Sequence, residues 1–149
     1  MKKLLIAILG PFLLVVTVSI GIFWWANGAP PGFRPKIHDV AFEELNYDHR
    51  GVRVKGTAHY ELRIQQGEEE GDTWYIFPLF PTGDTLGKHI RVMVRTPIAP
   101  DRLLGFEDLT VEGLARPPGQ LVPRSVIGAL LAKGYDVDER FVLIEQFVD

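Results

Sequence analysis

Cysteine is missing from the 149-residue chain altogether. That excludes a disulfide-stapled scaffold, a thiolate metal site, a cysteine nucleophile and a lipid-modified N-terminal cysteine. Serine is almost missing as well: beyond residue 28 the only one is Ser125, at the start of a helical pattern. A first-turn role suits it better than a nucleophile's, and no G-x-S-x-G elbow or serine–lysine pair accompanies it. The four histidines, His38, His49, His59 and His89, show no i,i+2 or i,i+4 spacing that would put two metal ligands on one face. His59 falls on the polar side of a strand and is expected to be solvated. No glycine-rich phosphate loop is present. Nor is there a basic excess: past residue 28, 14 Lys and Arg stand against 19 Asp and Glu, so no nucleic-acid partner is expected. Catalytic, cofactor-binding and metal residues are all expected to be absent, and the chain is read as a non-enzyme.

What the sequence does contain is one long apolar run. Leu4 to Trp25 are 22 residues without a charge, and as a helix rising about 1.5 Å per residue they would cross a hydrocarbon core of about 30 Å. Lys2 and Lys3 precede the run, and Trp24 and Trp25 close it where indole rings favour the membrane interface. The expectation is a signal-anchor, residues 1–27, inserted in the lipid bilayer once. Its N-terminus would lie in the cytoplasm and the rest outside, in the periplasm or its equivalent. Ala26 and Gly28 would allow cleavage after Gly28, but the run exceeds the roughly 7–15 apolar residues of a cleaved signal. Residues 28–36 (GAPPGFRPK) are rich in proline and glycine and read as a linker.

From residue 37 to 149 the pattern is mainly β. An early strand is expected around Ile37 to Leu45. Val52 to Ile64 alternates, with Val52, Val54, Ala58, Tyr60, Leu62 and Ile64 on one face and Gly56 among them. A glycine there marks a bulge or a close backbone approach. Gln65 to Asp72 is a polar hairpin loop; Thr73 to Phe80 is apolar on both faces, as a strand buried between layers would be. His89 to Arg95, Glu107 to Ala115 and Phe141 to Glu145 complete the strands. One helix is expected over Pro123 to Lys133, with Gly134 just beyond its end. Trp74, Phe77 and Phe80 would be hard to cover on a flat sheet, which favours a small curved sheet or partial barrel with one late helix. Val54-x-Gly56-x-Ala58 and Val111-x-Gly113-x-Ala115 echo each other, as two strands bent alike in one barrel would.

Arg95 and Arg116 end apolar strands and are closely followed by proline. A guanidinium is a planar, permanently charged fork suited to carboxylates, so both are expected to pair with Glu or Asp within the fold and are also candidate partner contacts. Trp24 and Trp25, read first as an interface anchor, are candidate partner contacts too. An aromatic-lined pocket around Trp74, Tyr75 and Phe77 is the alternative, making the chain a tethered carrier of a small ligand.

The order of these segments resembles the Surfeit-locus family of cytochrome c oxidase assembly factors. The series runs from Val52-Arg53-Val54-Lys55-Gly56 through Trp74 to Leu79, Gly83, Val92-Met93-Val94-Arg95 and Pro97 to Val111-Glu112-Gly113-Leu114-Ala115-Arg116-Pro117. The helix and the last strand then follow. The resemblance implies an extracytoplasmic β-rich domain behind a membrane helix, working beside a respiratory complex or another membrane protein. The family's Arg-Gly-Trp signature reads Arg95-Thr96-Pro97 here, and no second hydrophobic span follows the last strand. Part of the family is implicated in haem supply through its membrane helices. The single run here holds no histidine, so no cofactor is expected.

Overall fold

The computed structural model describes residues 35–67, 73–101, 103–119 and 121–148. Seven strands and one helix follow in the order β1 (Ile37–Asp39), β2 (Gly51–His59), β3 (Ile64–Gln66), β4 (Trp74–Phe80), β5 (His89–Thr96), β6 (Phe106–Arg116), α1 (Arg124–Ala132) and β7 (Asp136–Gln146). Single 3-10 turns occupy Phe42–Glu44 and Tyr60–Leu62. The run of residues 4–25, with Trp24 and Trp25, lies outside the described residues. No helix among the described residues is long and apolar enough to cross a membrane.

Strands β2, β6, β7, β5 and β4 are neighbours in that order, and β4 returns to β2 through Thr57–Phe80 and Ala58–Leu79. The sheet therefore closes into a five-stranded barrel. All its seams are antiparallel except β5–β7, which is parallel. The two short strands are additions: β1 pairs in parallel with the start of β2, and β3 pairs with the start of β4.

Closure solves the covering problem posed by β4. Its alternate residues face two separate cores. Phe77 and Leu79 point inward among Val52, Val54, Val92, Val94, Val111 and Ile144. Ile76 and Phe80 point outward and are covered, together with Met93 and Leu143, by Val126 and Leu130 of α1. The helix ends in a Schellman arrangement: Gly134 at φ +82° donates to Leu131, and Tyr135 donates to Leu130, at 2.9 and 3.1 Å. Pro123 takes the N-cap position just ahead of the first helical residue.

The glycines of the repeated V-x-G-x-A pattern mark tight seams. A Cβ on Gly56 would lie 2.6 Å from the Phe80 carbonyl oxygen, and one on Gly113 would run into the Glu145 carbonyl. Both positions let a strand bend inward where a neighbouring backbone comes close.

Three segments differ from the sequence expectation. The strand read as Val52 to Ile64 stops at His59, turns once, and resumes only as β3. The early strand is three residues long, followed by a 3-10 turn. The last strand starts five residues before Phe141, at Asp136. Its pairing with β5 jumps from Ile90–Val137 to Val92–Val142, so an irregular stretch intervenes and the apolar alternation is interrupted.

Candidate functional site

Arg95, Glu145 and Leu114 occupy one row across the outer face of three adjacent strands. Arg95 on β5 is opposite Glu145 on β7, and Glu145 is opposite Leu114 on β6. Arg116 follows two residues later along β6, hence on the same outer face. The Glu145 carboxylate bridges the two arginines: Arg95 donates from Nη1 to Oε1 at 3.0 Å, and Arg116 donates from Nη1 to Oε2 at 2.9 Å. On its other side the Arg95 guanidinium carbon stands 3.7 Å from the centroid of the Trp74 ring on β4. The two arginines singled out by the sequence are thus brought together, with a carboxylate between them and an indole behind one.

The cluster is partly withdrawn from water. The Arg95 side chain is 12 % exposed, while Arg116 and Glu145 are each about a quarter exposed at 25 % and 26 %. Burial pulls the Arg95 guanidinium below its ordinary value, with Glu145 opposing that shift and Arg116 adding to it. It remains a cation at any physiological pH. Its Nε is buried and has no hydrogen-bond partner. Two guanidinium groups against one carboxylate leave one positive charge over, on a domain whose overall balance is acidic. The arrangement can hold a further carboxylate or a comparable anion at the open edge of Arg116.

The other sequence candidates fall elsewhere. His59 is not solvated: it is 1 % exposed. Residues 81–88 fold over that end of β2, and its Nε2 meets the Asp84 carbonyl oxygen at 2.8 Å. Its ring packs between Phe80 and Phe106, with centroids at 4.1 and 4.7 Å. The same loop satisfies Thr57, which donates to Asp108 and accepts from the Gly83 amide. Loop coverage buries the His59 end of the polar face, while Arg53 and Lys55 on the same face stay exposed as alternation predicts. His38 and His49 lie ring to ring at 5.2 Å, and His89 pairs with Asp136 at 2.7 Å. Trp74 and Phe77 are on opposite faces of β4, the first against Arg95 and the second inside the barrel. A groove of about 620 Å³ lies instead beside β1, bounded by Asp39, Phe42, Arg53, Lys55 and Thr82.

Small Greek-key barrels such as the OB fold commonly present the face of their second and third strands to oligonucleotides or sugars. Counted around this barrel in chain order, those strands are β4 and β5, where Ile76, Phe80, Ile90 and Met93 cluster with Val126 and Leu130 of α1. Fold alone assigns no function. No protein-family model matches the chain, and neither a characterised protein nor a solved structure does.

Nothing in the local sequence pattern marks Glu145 and Trp74 as the partners of the arginines. Glu145 is 50 residues from Arg95, and only the register of the parallel β5–β7 pair brings them together.

Proposed function

We propose that the chain is a single-pass membrane protein whose barrel, on the extracytoplasmic side, docks on another membrane protein in the manner of a respiratory-oxidase assembly factor or accessory subunit. The observation that carries this reading is the uncharged run of Leu4 to Trp25 with lysines before it and tryptophans at its end. Such an anchor confines the barrel to a thin layer beside the bilayer and raises its effective concentration near any partner in the same membrane. The Arg95–Glu145–Arg116 cluster supports the reading by offering cationic donors, fixed in orientation by Glu145 and Trp74, to an acidic segment of that partner.

The test uses the tagged full chain, purified from membranes in mild detergent and weighed intact together with its companions. The expected result is a chain that retains Lys2 and Lys3 and carries a membrane-protein companion whose recovery falls in an Arg116→Glu variant. A water-soluble product trimmed after Gly28, or a purified chain with no respiratory component at all, overturns the reading.

A further inference from the structure

Two loops put large apolar side chains into solvent around one end of β2. Leu86, in the loop after β4, is 87 % exposed, and Leu103, in the loop after β5, is 92 % exposed. Ile98, Leu104 and Phe106 are exposed on or beside that second loop. The loops converge on His59, which takes the Asp84 carbonyl from one and the Phe106 ring from the other. Glu61 borders Leu103 and Leu104 as an exposed carboxylate, while three other carboxylates near the apolar tips are turned to internal bonds. Asp84 accepts from the Leu86 and Gly87 amides, Glu107 from the Tyr60 hydroxyl at 2.6 Å, and Asp108 from Thr57. Arg63 borders Leu103 and Leu104.

We infer that these two loops dip into the headgroup region of the bilayer and so fix how the barrel stands on the membrane. The inference rests on the anchored reading above. Three observations favour lipid over a shaped partner. First, the apolar side chains stand on loop tips, and the groove beside Leu103 and Leu104 is otherwise bounded by Tyr60, Glu61, Arg63 and Gly105. A fluid phase accepts such protrusions without a matching pocket. Second, four loop side chains and Phe106 at the start of β6 offer only a few hundred Å², short of the roughly 800 Å² per partner of a stable protein interface. Third, the tether permits it. Residues 28–36 can reach about 30 Å when extended. Ile37 pairs with Gly51, and β2 covers about 26 Å from there to His59 at roughly 3.3 Å per residue. Arg63 is then placed to meet a lipid phosphate.

The absence of cysteine makes the experiment direct. Single-cysteine variants Leu86→Cys and Leu103→Cys of the full chain carry an environment-sensitive fluorophore in vesicles of phosphatidylethanolamine and phosphatidylglycerol. Leu131→Cys, an exposed apolar position on α1 at 52 % exposure, is the aqueous control, and Val15→Cys reports the anchor. Positions 86 and 103 are expected to show blue-shifted emission, quenching by nitroxide-bearing lipids, and several-fold less quenching by aqueous iodide than position 131. If 86 and 103 behave like 131 while 15 reports lipid, the loop assignment fails and the anchor stands. An aqueous signal at 15 overturns the anchored reading as well. Shielding from iodide that rises with protein density, without quenching by the labelled lipids, means that a second copy covers the loops and also overturns the assignment.

Discussion

Arg95 is sandwiched between Trp74 and Glu145: its guanidinium carbon lies 3.7 Å from the indole centroid, and its Nη1 donates to the carboxylate at 3.0 Å. The stack needs a flat cation and the ion pair needs a directed donor. A guanidinium supplies both at once, whereas an ammonium is a compact point charge. Arg95→Lys is therefore not a conservative change here. We expect a loss of about 1–2 kcal/mol in unfolding free energy from the weakened stack and lost fork geometry, read by urea denaturation at constant pH. A variant as stable as the parent would mean that the indole contact contributes little.

Glu145 holds two arginines, so its removal is asymmetric. Glu145→Gln keeps the shape but leaves both partly buried cations facing a neutral amide. Breaking a fully buried pair by removing one partner costs about 3–5 kcal/mol, and partial exposure reduces this toward roughly 2 kcal/mol. The double variant Glu145→Gln, Arg116→Gln should recover part of that loss, because one of the two stranded charges is gone. A double-mutant cycle in denaturant measures the coupling directly.

Gly56 gives a test of barrel closure that is independent of the charges. A methyl group there meets the Phe80 carbonyl oxygen at 2.6 Å and the Leu79 side chain at 2.7 Å. Neither neighbour can yield without disturbing the short β2–β4 seam of Thr57–Phe80 and Ala58–Leu79. Gly56→Ala should cost about 1–3 kcal/mol. Loss of amide-exchange protection should be greatest at Thr57 to His59 and Leu79 to Phe80. Gly128→Ala, on the helix where a Cβ meets nothing within 4 Å, is the matched control; it should be neutral or stabilising by up to about 1 kcal/mol.

Much of this architecture is legible in local pattern, and what is not depends on contacts between distant segments. The alternation of Val52, Val54 and Ala58 gives the inward face of β2, and the doubly apolar β4 demands two cores, which the barrel interior and α1 provide. Apolar alternation overextends the early strand and the one beyond His59, because it persists through 3-10 turns that also bury Phe42, Tyr60 and Leu62. Period-two logic puts His59 in water because it sees only the strand, not the loop of residues 81–88 that folds over it. Arg95 and Arg116 could be picked out by residue type and position, but not the carboxylate joining them. That depends on the parallel β5–β7 register, which alternation does not specify.

Tyr60 supplies a pH signature of the same end of the barrel. Its ring is buried edge-on against Phe77 at 5.0 Å, and its hydroxyl donates to Glu107 at 2.6 Å. Burial, followed by that carboxylate, pushes the phenol well above its ordinary value near 10. The neutral form is the one that the fold accommodates. Below the unfolded-state value both states are protonated, and the stabilisation is fully present. As pH rises past about 10 the unfolded chain begins to lose the proton while the folded chain keeps it, so stability falls progressively until the folded-state phenol also ionises. Unfolding free energy should therefore drop between about pH 10 and 11.5, measured by denaturant titration at a series of pH values. In Tyr60→Phe that specific decline should disappear, whatever the variant's stability at neutral pH. The other tyrosines make the comparison internal: a parent and variant falling in parallel above pH 10 would show that Tyr60 ionises as freely as an exposed phenol and that its bond to Glu107 does not protect the proton.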